Sequence, residues 1–389
     1  MKSRGQAIVL DDRLKAVGCA VAAAFAAVLV VGSILVANES QVSVLVRMAG
    51  TDPLATLARQ IEPDFALVPP SVHYDGVYYY AIALDPFATE DAHELIDLAA
   101  HRYGHPAYGW FAALASLGQE RWIPEVLLML SLVGLTVGAY MTSRIASRFE
   151  MGSPWAGLLV ALNPGLLFAV GADLSEALST GVLALALWFW FTSKRTIAYP
   201  LLVLLCFFKF QLVLVPVGLG LWELARGIRA TPWRVPWRSL FGLAAGPILF
   251  GLWQIYVHSR LGEWPTSLGP ELLSVPPLGF FSTMGLLGHV SQLYSGDAQV
   301  VAAMLPILVA VFVLFVIGLV RALRLRNAID CIFVFQALMF LALNDWNVYF
   351  PKELIRVMAI PAILLVFVLM PDDKARRFGR FPAVTAPGS

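Results

Sequence analysis

Residues 197–222 read IAYPLLVLLCFFKFQLVLVPVGLGLW, an apolar run broken at its centre by Lys209 and Gln211. A hydrocarbon core roughly 30 Å thick needs about 20 residues of helix, so this stretch makes either one tilted helix or two short ones. Arg195 precedes the run and Arg226 follows it. If those arginines lie on one side of a membrane, the chain must cross and return within the run, and the reversal falls near Lys209 and Gln211. Half-length helices meeting at a lysine are tolerated where the turn lines a water-filled cavity, because irregular backbone and charge cannot face lipid. One tilted helix with Lys209 snorkelling to the interface is the alternative.

Charge elsewhere argues for the reversal. Six short segments, 1–15, 144–148, 194–195, 226–238, 321–326 and 374–380, hold 19 of the 27 lysines and arginines, and the positive-inside rule places all six in the cytoplasm. An even number of crossings must then separate each pair. The apolar runs 123–142, 154–171, 174–193, 239–258, 298–320, 328–343 and 354–370 satisfy this, as does 197–222 once it is split. The expected fold is therefore all-α: a polytopic membrane helical bundle of about ten crossings, both termini cytoplasmic, in the inner (plasma) membrane.

Composition supports that class. The chain of 389 residues is 59% hydrophobic and only 14% charged, far from a soluble domain. A single integral membrane domain, 1–389, is expected, with a cytoplasmic N-terminus at 1–15, a first outer loop at 38–122, a second at 260–297 and a cytoplasmic tail at 371–389. Ala16 to Ala37 is too long for a secretory h-region and reads as a retained anchor. Cys19, Cys206 and Cys331 each sit in an apolar run, which suggests buried thiols. Prolines 53, 63, 69, 70 and 86 divide the first outer loop into short interfacial helices, and 107–118 is too short to span. There is no glycine-rich phosphate loop and no nucleic-acid motif, so no nucleic-acid partner is expected.

The outer segments collect the chemistry-bearing side chains, in four clusters. In HYDGVYYYAIALDP, residues 73–86, Asp75 precedes Tyr78, Tyr79 and Tyr80. A carboxylate there can act as general base on a hydroxyl held at the membrane surface, or ligate a divalent cation such as magnesium or manganese; it can equally cap a helix beside an aromatic belt. In HRYGHP, 101–106, Arg102 can clamp a phosphate and Tyr103 offers a stacking face, or the turn simply anchors to headgroups. After Asn163-Pro164-Gly165 come Asp173 and Glu176, acids at the outer turn whose spacing is also that of a capping box. Lys352 and Arg356, four apart at the start of the last helix, suit a phosphate but oppose the helix dipole, and Glu353 could neutralise one of them.

HYDGVYYYAIALDP, then HRYGHPAYGW, then LNPGLLFAVGADLSEAL resemble the bacterial relatives of the PIG-V-type mannosyltransferases, in the GT-C superfamily of lipid-phosphate-dependent glycosyltransferases. The likeness is best over residues 70–180, with Tyr74 where the family often has tryptophan. It implies an inverting transfer of a sugar, mannose or another, from a polyprenyl-phosphate-linked donor in the membrane lipid to an acceptor at the outer face. Asp75 would be the base or metal-orienting carboxylate, and Lys209, Arg102 and Arg356 would stabilise the departing phosphate. Two rivals stand beside it: a transporter or flippase of lipid-linked sugars, which should show internal repeats, and a non-catalytic scaffold of envelope assembly.

Overall fold

The computed structural model describes residues 2–149, 152–229, 235–267, 273–279, 281–282, 298–344 and 351–369. Among them no strand forms, and the backbone is helical apart from turns and two isolated bridges. Among the described residues four segments are long and apolar enough to cross a membrane: Asp11–Ala37, Glu120–Arg148, Phe210–Ile228 and Trp237–Leu261. Shorter apolar helices are Glu176–Phe191, Arg195–Cys206, Pro306–Ala322 and Ala328–Leu341. The chain clusters into two compact units: 1–147, 153–212 and 246–267 form the first, and 148–152, 213–245 and 268–389 the second.

The first unit begins with α1 (Lys2–Ala37). It buries a seam of small residues, Ala16, Cys19, Ala23 and Ala27, and leaves Val21, Phe25, Val28 and Val36 exposed. Small residues allow backbones to approach without a large apolar wedge, the packing typical of membrane helices. A Cβ on Gly157 would lie 2.8 Å from Cys19 and 2.3 Å from the Ala139 carbonyl oxygen, so this crossing has no room for one.

Residues 38–122, the expected first outer loop, fold into short helices, α2 (Leu54–Ile61), α3 (Gly76–Leu84), α4 (Ala99–Tyr103) and α5 (Ala107–Ala115). At nine residues, α5 reaches only about 14 Å, in keeping with its expected inability to span. After α6 (Ile123–Arg148), the apolar run 154–171 is not one helix. It consists of a 3-10 turn, Pro154–Gly157, then α7 (Leu158–Ala161) and α8 (Pro164–Val170). Asn163 caps α8 by accepting from the N–H groups of Gly165 and Leu166 at 3.0 and 3.2 Å, and Pro164 cannot continue the helix before it.

Helix α9 (Glu176–Phe191) folds back through residues 192–194 onto α10 (Arg195–Cys206). The run 197–222 is indeed divided: α10 ends at Cys206, a 3-10 turn covers Phe210–Val213, and α11 (Leu214–Ile228) follows. Lys209 lies in the break. The unit closes on the later part of α12 (Trp237–Leu261), where Trp253 donates to the Tyr103 carbonyl at 2.7 Å and Gln254 to that of Gly104 at 2.8 Å.

In the second unit, α11 packs on α14 (Ala328–Leu341), which also meets α13 (Ala298–Ala322) and α15 (Pro351–Val368). Gly218 permits the first contact, since a Cβ there would lie 2.6 Å from Ile332 Cα. Arg326 forks onto Asp330 at 2.8 and 3.0 Å and donates to the Val368 carbonyl at 2.6 Å, tying two helix ends together.

Candidate functional site

Asp75 stands at the N-cap position of α3, but its side chain makes no capping hydrogen bond. Instead it accepts from Arg102 Nη1 at 3.2 Å, and the same guanidinium reaches Asp97 at 3.4 Å. The Asp75 backbone is already helical, at φ −60° and ψ −11°, and not in the extended conformation from which a cap side chain reaches back to the first turn. Gly76, next to it, is crowded. A Cβ there would lie 2.6 Å from the Val46 carbonyl oxygen and 2.7 Å from that of Ala172, so three backbone segments meet at this glycine. Asp75 and Arg102 are both partly exposed.

The tyrosines are not a lipid-facing belt: Tyr78, Tyr79 and Tyr80 are all buried. Arg102 lies 3.6 Å over the Tyr78 ring, a cation–π contact. Burial also drives the Tyr78 hydroxyl well above its ordinary pKa. Its hydroxyl is 3.4 Å from His73 Nε2, whose Nδ1 is 2.9 Å from Asp52. Tyr79 shares a hydrogen bond with Ser175 at 3.0 Å and sets its ring edge-on to Tyr108. Tyr103 belongs elsewhere. It fills a core cluster with Ile82, Ala88, Ala100 and Val257 and donates to the Asp85 carbonyl at 2.7 Å, which locks α4 to the end of α3.

Glu176 opens α9 in a buried position and meets Lys209 Nζ at 2.5 Å. The lysine in the break is thus an ion-paired cation. Phe210, next to it, carries two imidazoles: His101 is stacked on its ring at 5.9 Å, and His105 lies 5.5 Å from both rings. Burial, first of all, lowers the pKa of both histidines; His101, Lys209 and Arg102 depress His105 further and Asp75 opposes them. Asp75, Arg102, His101, His105, Lys209 and Glu176 therefore form one neighbourhood drawn from the start of α3, α4 and the residues after it, the start of α9 and the helix break.

Asp173 behaves differently from the capping residue its spacing suggests. Its backbone is left-handed, with φ +47°, and Ser175 takes the N-cap position instead. The carboxyl is fully buried, and neither oxygen has a hydrogen-bond partner among the described residues. Burial raises its pKa well above the usual carboxylate range, against the opposing pull of Arg47. Arg47, which the sequence reading passed over, is also left-handed, at φ +58°, and donates to the Gly171 carbonyl at 3.0 Å. Its signal was visible as a lone arginine in the apolar stretch VSVLVRMAG.

Lys352 and Arg356 lie on α15 in the second unit, four residues apart, and Arg356 pairs with Glu353 at 2.9 Å, the neutralisation foreseen for one of the two. Asp345, Trp346 and Asn347 fall outside the described residues. Among the described residues no group of three histidines, cysteines, aspartates or glutamates is arranged to hold a metal ion, and Asp75 faces a guanidinium. Compared with known proteins, the chain matches no family model, no curated protein and no solved structure.

Proposed function

We propose that the protein is a membrane glycosyltransferase of about ten crossings, with both termini in the cytoplasm, that moves a sugar from a polyprenyl-phosphate donor to an acceptor hydroxyl at the outer face of the inner membrane. The observation that carries this reading is the Asp75 side chain, directed at Arg102 rather than at the helix it precedes. A base and a cation side by side at a partly exposed position suit a reaction that removes a proton at one atom and gathers negative charge at another.

In this scheme the acceptor O–H gives its proton to the Asp75 carboxylate as its oxygen attacks the anomeric carbon. The bond from that carbon to the phosphate oxygen breaks, and its electron pair leaves with the lipid phosphate. Attack from the face opposite the phosphate inverts the anomeric centre. Arg102 holds Asp75 in the resting site and shifts toward the phosphate when the donor arrives, which frees the carboxylate to act. Lys209, held by Glu176 at 2.5 Å, is a second ammonium near the site that can turn toward the phosphate.

The test is Asp75→Asn, assayed as sugar transfer from a polyprenyl-phosphate mannose donor in isolated membranes. The exchange keeps shape and removes the basic charge, so turnover should fall roughly a hundredfold or more. Near-normal turnover would refute Asp75 as the base.

A further inference from the structure

Of the two imidazoles beside Phe210, His101 is the one whose tautomer the fold decides. Its Nδ1 lies 3.1 Å from the Pro265 carbonyl oxygen. A carbonyl can only accept, so Nδ1 carries the proton and the uncharged ring leaves Nε2 bare. The ring is offset-stacked on Phe210, with 23° between the planes, and edge-on to His105, so it cannot turn over without giving up the Pro265 bond. Nε2 has no hydrogen-bond partner among the described residues and is not sealed from water.

The charged groups acting on this ring are Arg102 and Asp97 from its own segment and Asp75 from the start of α3, and His105 lies beside it. Burial, first of all, lowers its pKa; the Pro265 bond opposes this, Arg102 adds to the lowering, and the two carboxylates counter it. The net effect favours the uncharged ring, the form in which Nε2 is an acceptor.

The position of His101 points to what that nitrogen meets. In the proposed scheme Arg102, the next residue, and Lys209, next to Phe210, gather the donor's phosphate, and the sugar is joined directly to that phosphate. Sugar hydroxyls donate and need acceptors, whereas guanidinium and ammonium groups only donate. A bare imidazole nitrogen supplies an acceptor without setting another negative charge beside an anion.

We propose that His101 accepts, at Nε2, a hydrogen bond from a hydroxyl of the donor's sugar, and so selects and orients that sugar. The identity of the ligand rests on the glycosyltransferase reading. Protonation turns this acceptor into a donor, so sugar affinity should fall about tenfold per pH unit below the His101 midpoint, and a bound sugar should lower that midpoint.

The experiment is nitrogen-15 NMR of the full chain with ring-labelled histidine, in a sugar-free detergent, titrated with octyl mannoside, octyl glucoside and octyl galactoside. These probes are uncharged, so no phosphate charge disturbs the ring. His101→Phe, which keeps a ring against Phe210 but has no acceptor, identifies the signal among those of the six histidines. The free protein should show a protonated Nδ1 and a bare Nε2. At least one glycoside should move the Nε2 signal toward that of a protonated nitrogen and lower the midpoint pH. His101→Phe should bind it about tenfold more weakly, with His101→Gln, which restores an acceptor, between the two. The opposite tautomer, a bound glycoside that leaves Nε2 unmoved, a raised midpoint, equal binding by His101→Phe, or no binding of any of the three overturns the proposal. Should His101→Phe fail to fold, His101→Gln identifies the signal and the wild-type titration decides. Sugar transfer separates donor from acceptor: His101→Phe should raise the KM for the donor, and a rise confined to the acceptor overturns the assignment to the donor's sugar. Transfer that persists when the proposal fails leaves the glycosyltransferase reading standing. A glycoside held at Nε2 in a chain that transfers nothing supports this site and counts only against that reading.

Discussion

Replacing Lys209 with methionine removes the cation that Glu176 meets at 2.5 Å. The side chain of Glu176 is 2% exposed and that of Lys209 16%, so the carboxylate is the more deeply buried partner and water cannot easily take over the lost contact. Breaking a buried pair from one side costs about 3–5 kcal/mol, most of it the penalty of keeping the remaining charge out of water. Because Lys209 keeps some exposure, the lower end applies, about 3 kcal/mol. Glu176→Gln in the same chain removes that charge, and the double variant should recover most of the loss. A double-mutant cycle on unfolding in detergent measures both numbers, with the coupling between the two positions expected to exceed about 1 kcal/mol. Lys209→Met as stable as the wild type, or losses that simply add, would refute the argument that the helix break is held by this pair.

Asp173→Asn should change the pH dependence of stability. A carboxyl whose pKa is raised on folding holds its proton in the native state after the unfolded chain has lost it, so its contribution falls as pH climbs from the ordinary carboxylate range toward the native pKa. Thermal melts at several pH values should show the variant gaining on the wild type as pH rises, and a constant offset would contradict this. Gly76→Ala should destabilise by about 1–3 kcal/mol or shift the start of α3, since its Cβ meets two backbone carbonyls; unchanged melting would mean that the crowding is relieved cheaply. Arg229→Cys tests topology: all three native cysteines are buried, so the new thiol supplies the signal. An impermeant reagent should fail to label it in intact cells, and labelling would end the ten-crossing scheme.

The break in the 197–222 run was legible because parity favoured a reversal over one tilted helix once the arginines on either side were taken to share a face. The fragmentation of 154–171 was half legible: Pro164 announced a stop, but the apolar run around it hid the shortness of α7 and α8. Asp173 was misleading because spacing alone cannot distinguish a cap from a left-handed turn that buries the same residue. The tyrosines were ambiguous for a related reason, since an aromatic row looks the same whether lipid or protein covers it. Tyr103 reads as part of a polar motif, yet its ring packs with residues from distant parts of the chain that no local pattern reveals. Ion pairs such as Lys209 with Glu176 join positions 33 apart and arise only when the hairpin closes.

That closure bears on how the chain enters a bilayer. Helix α10, at 12 residues, extends roughly 18 Å, and α9, at 16, about 24 Å. Both fall short of the hydrocarbon thickness, so neither is a good independent substrate for insertion. On the proposed topology the two helices are expected to enter together as a hairpin, once α10 and the residues after it have emerged. Lys209 and Glu176 lie at the open end of that hairpin, so closing it brings the two charges together as an ion pair, which costs less at the edge of a bilayer than two separate charges.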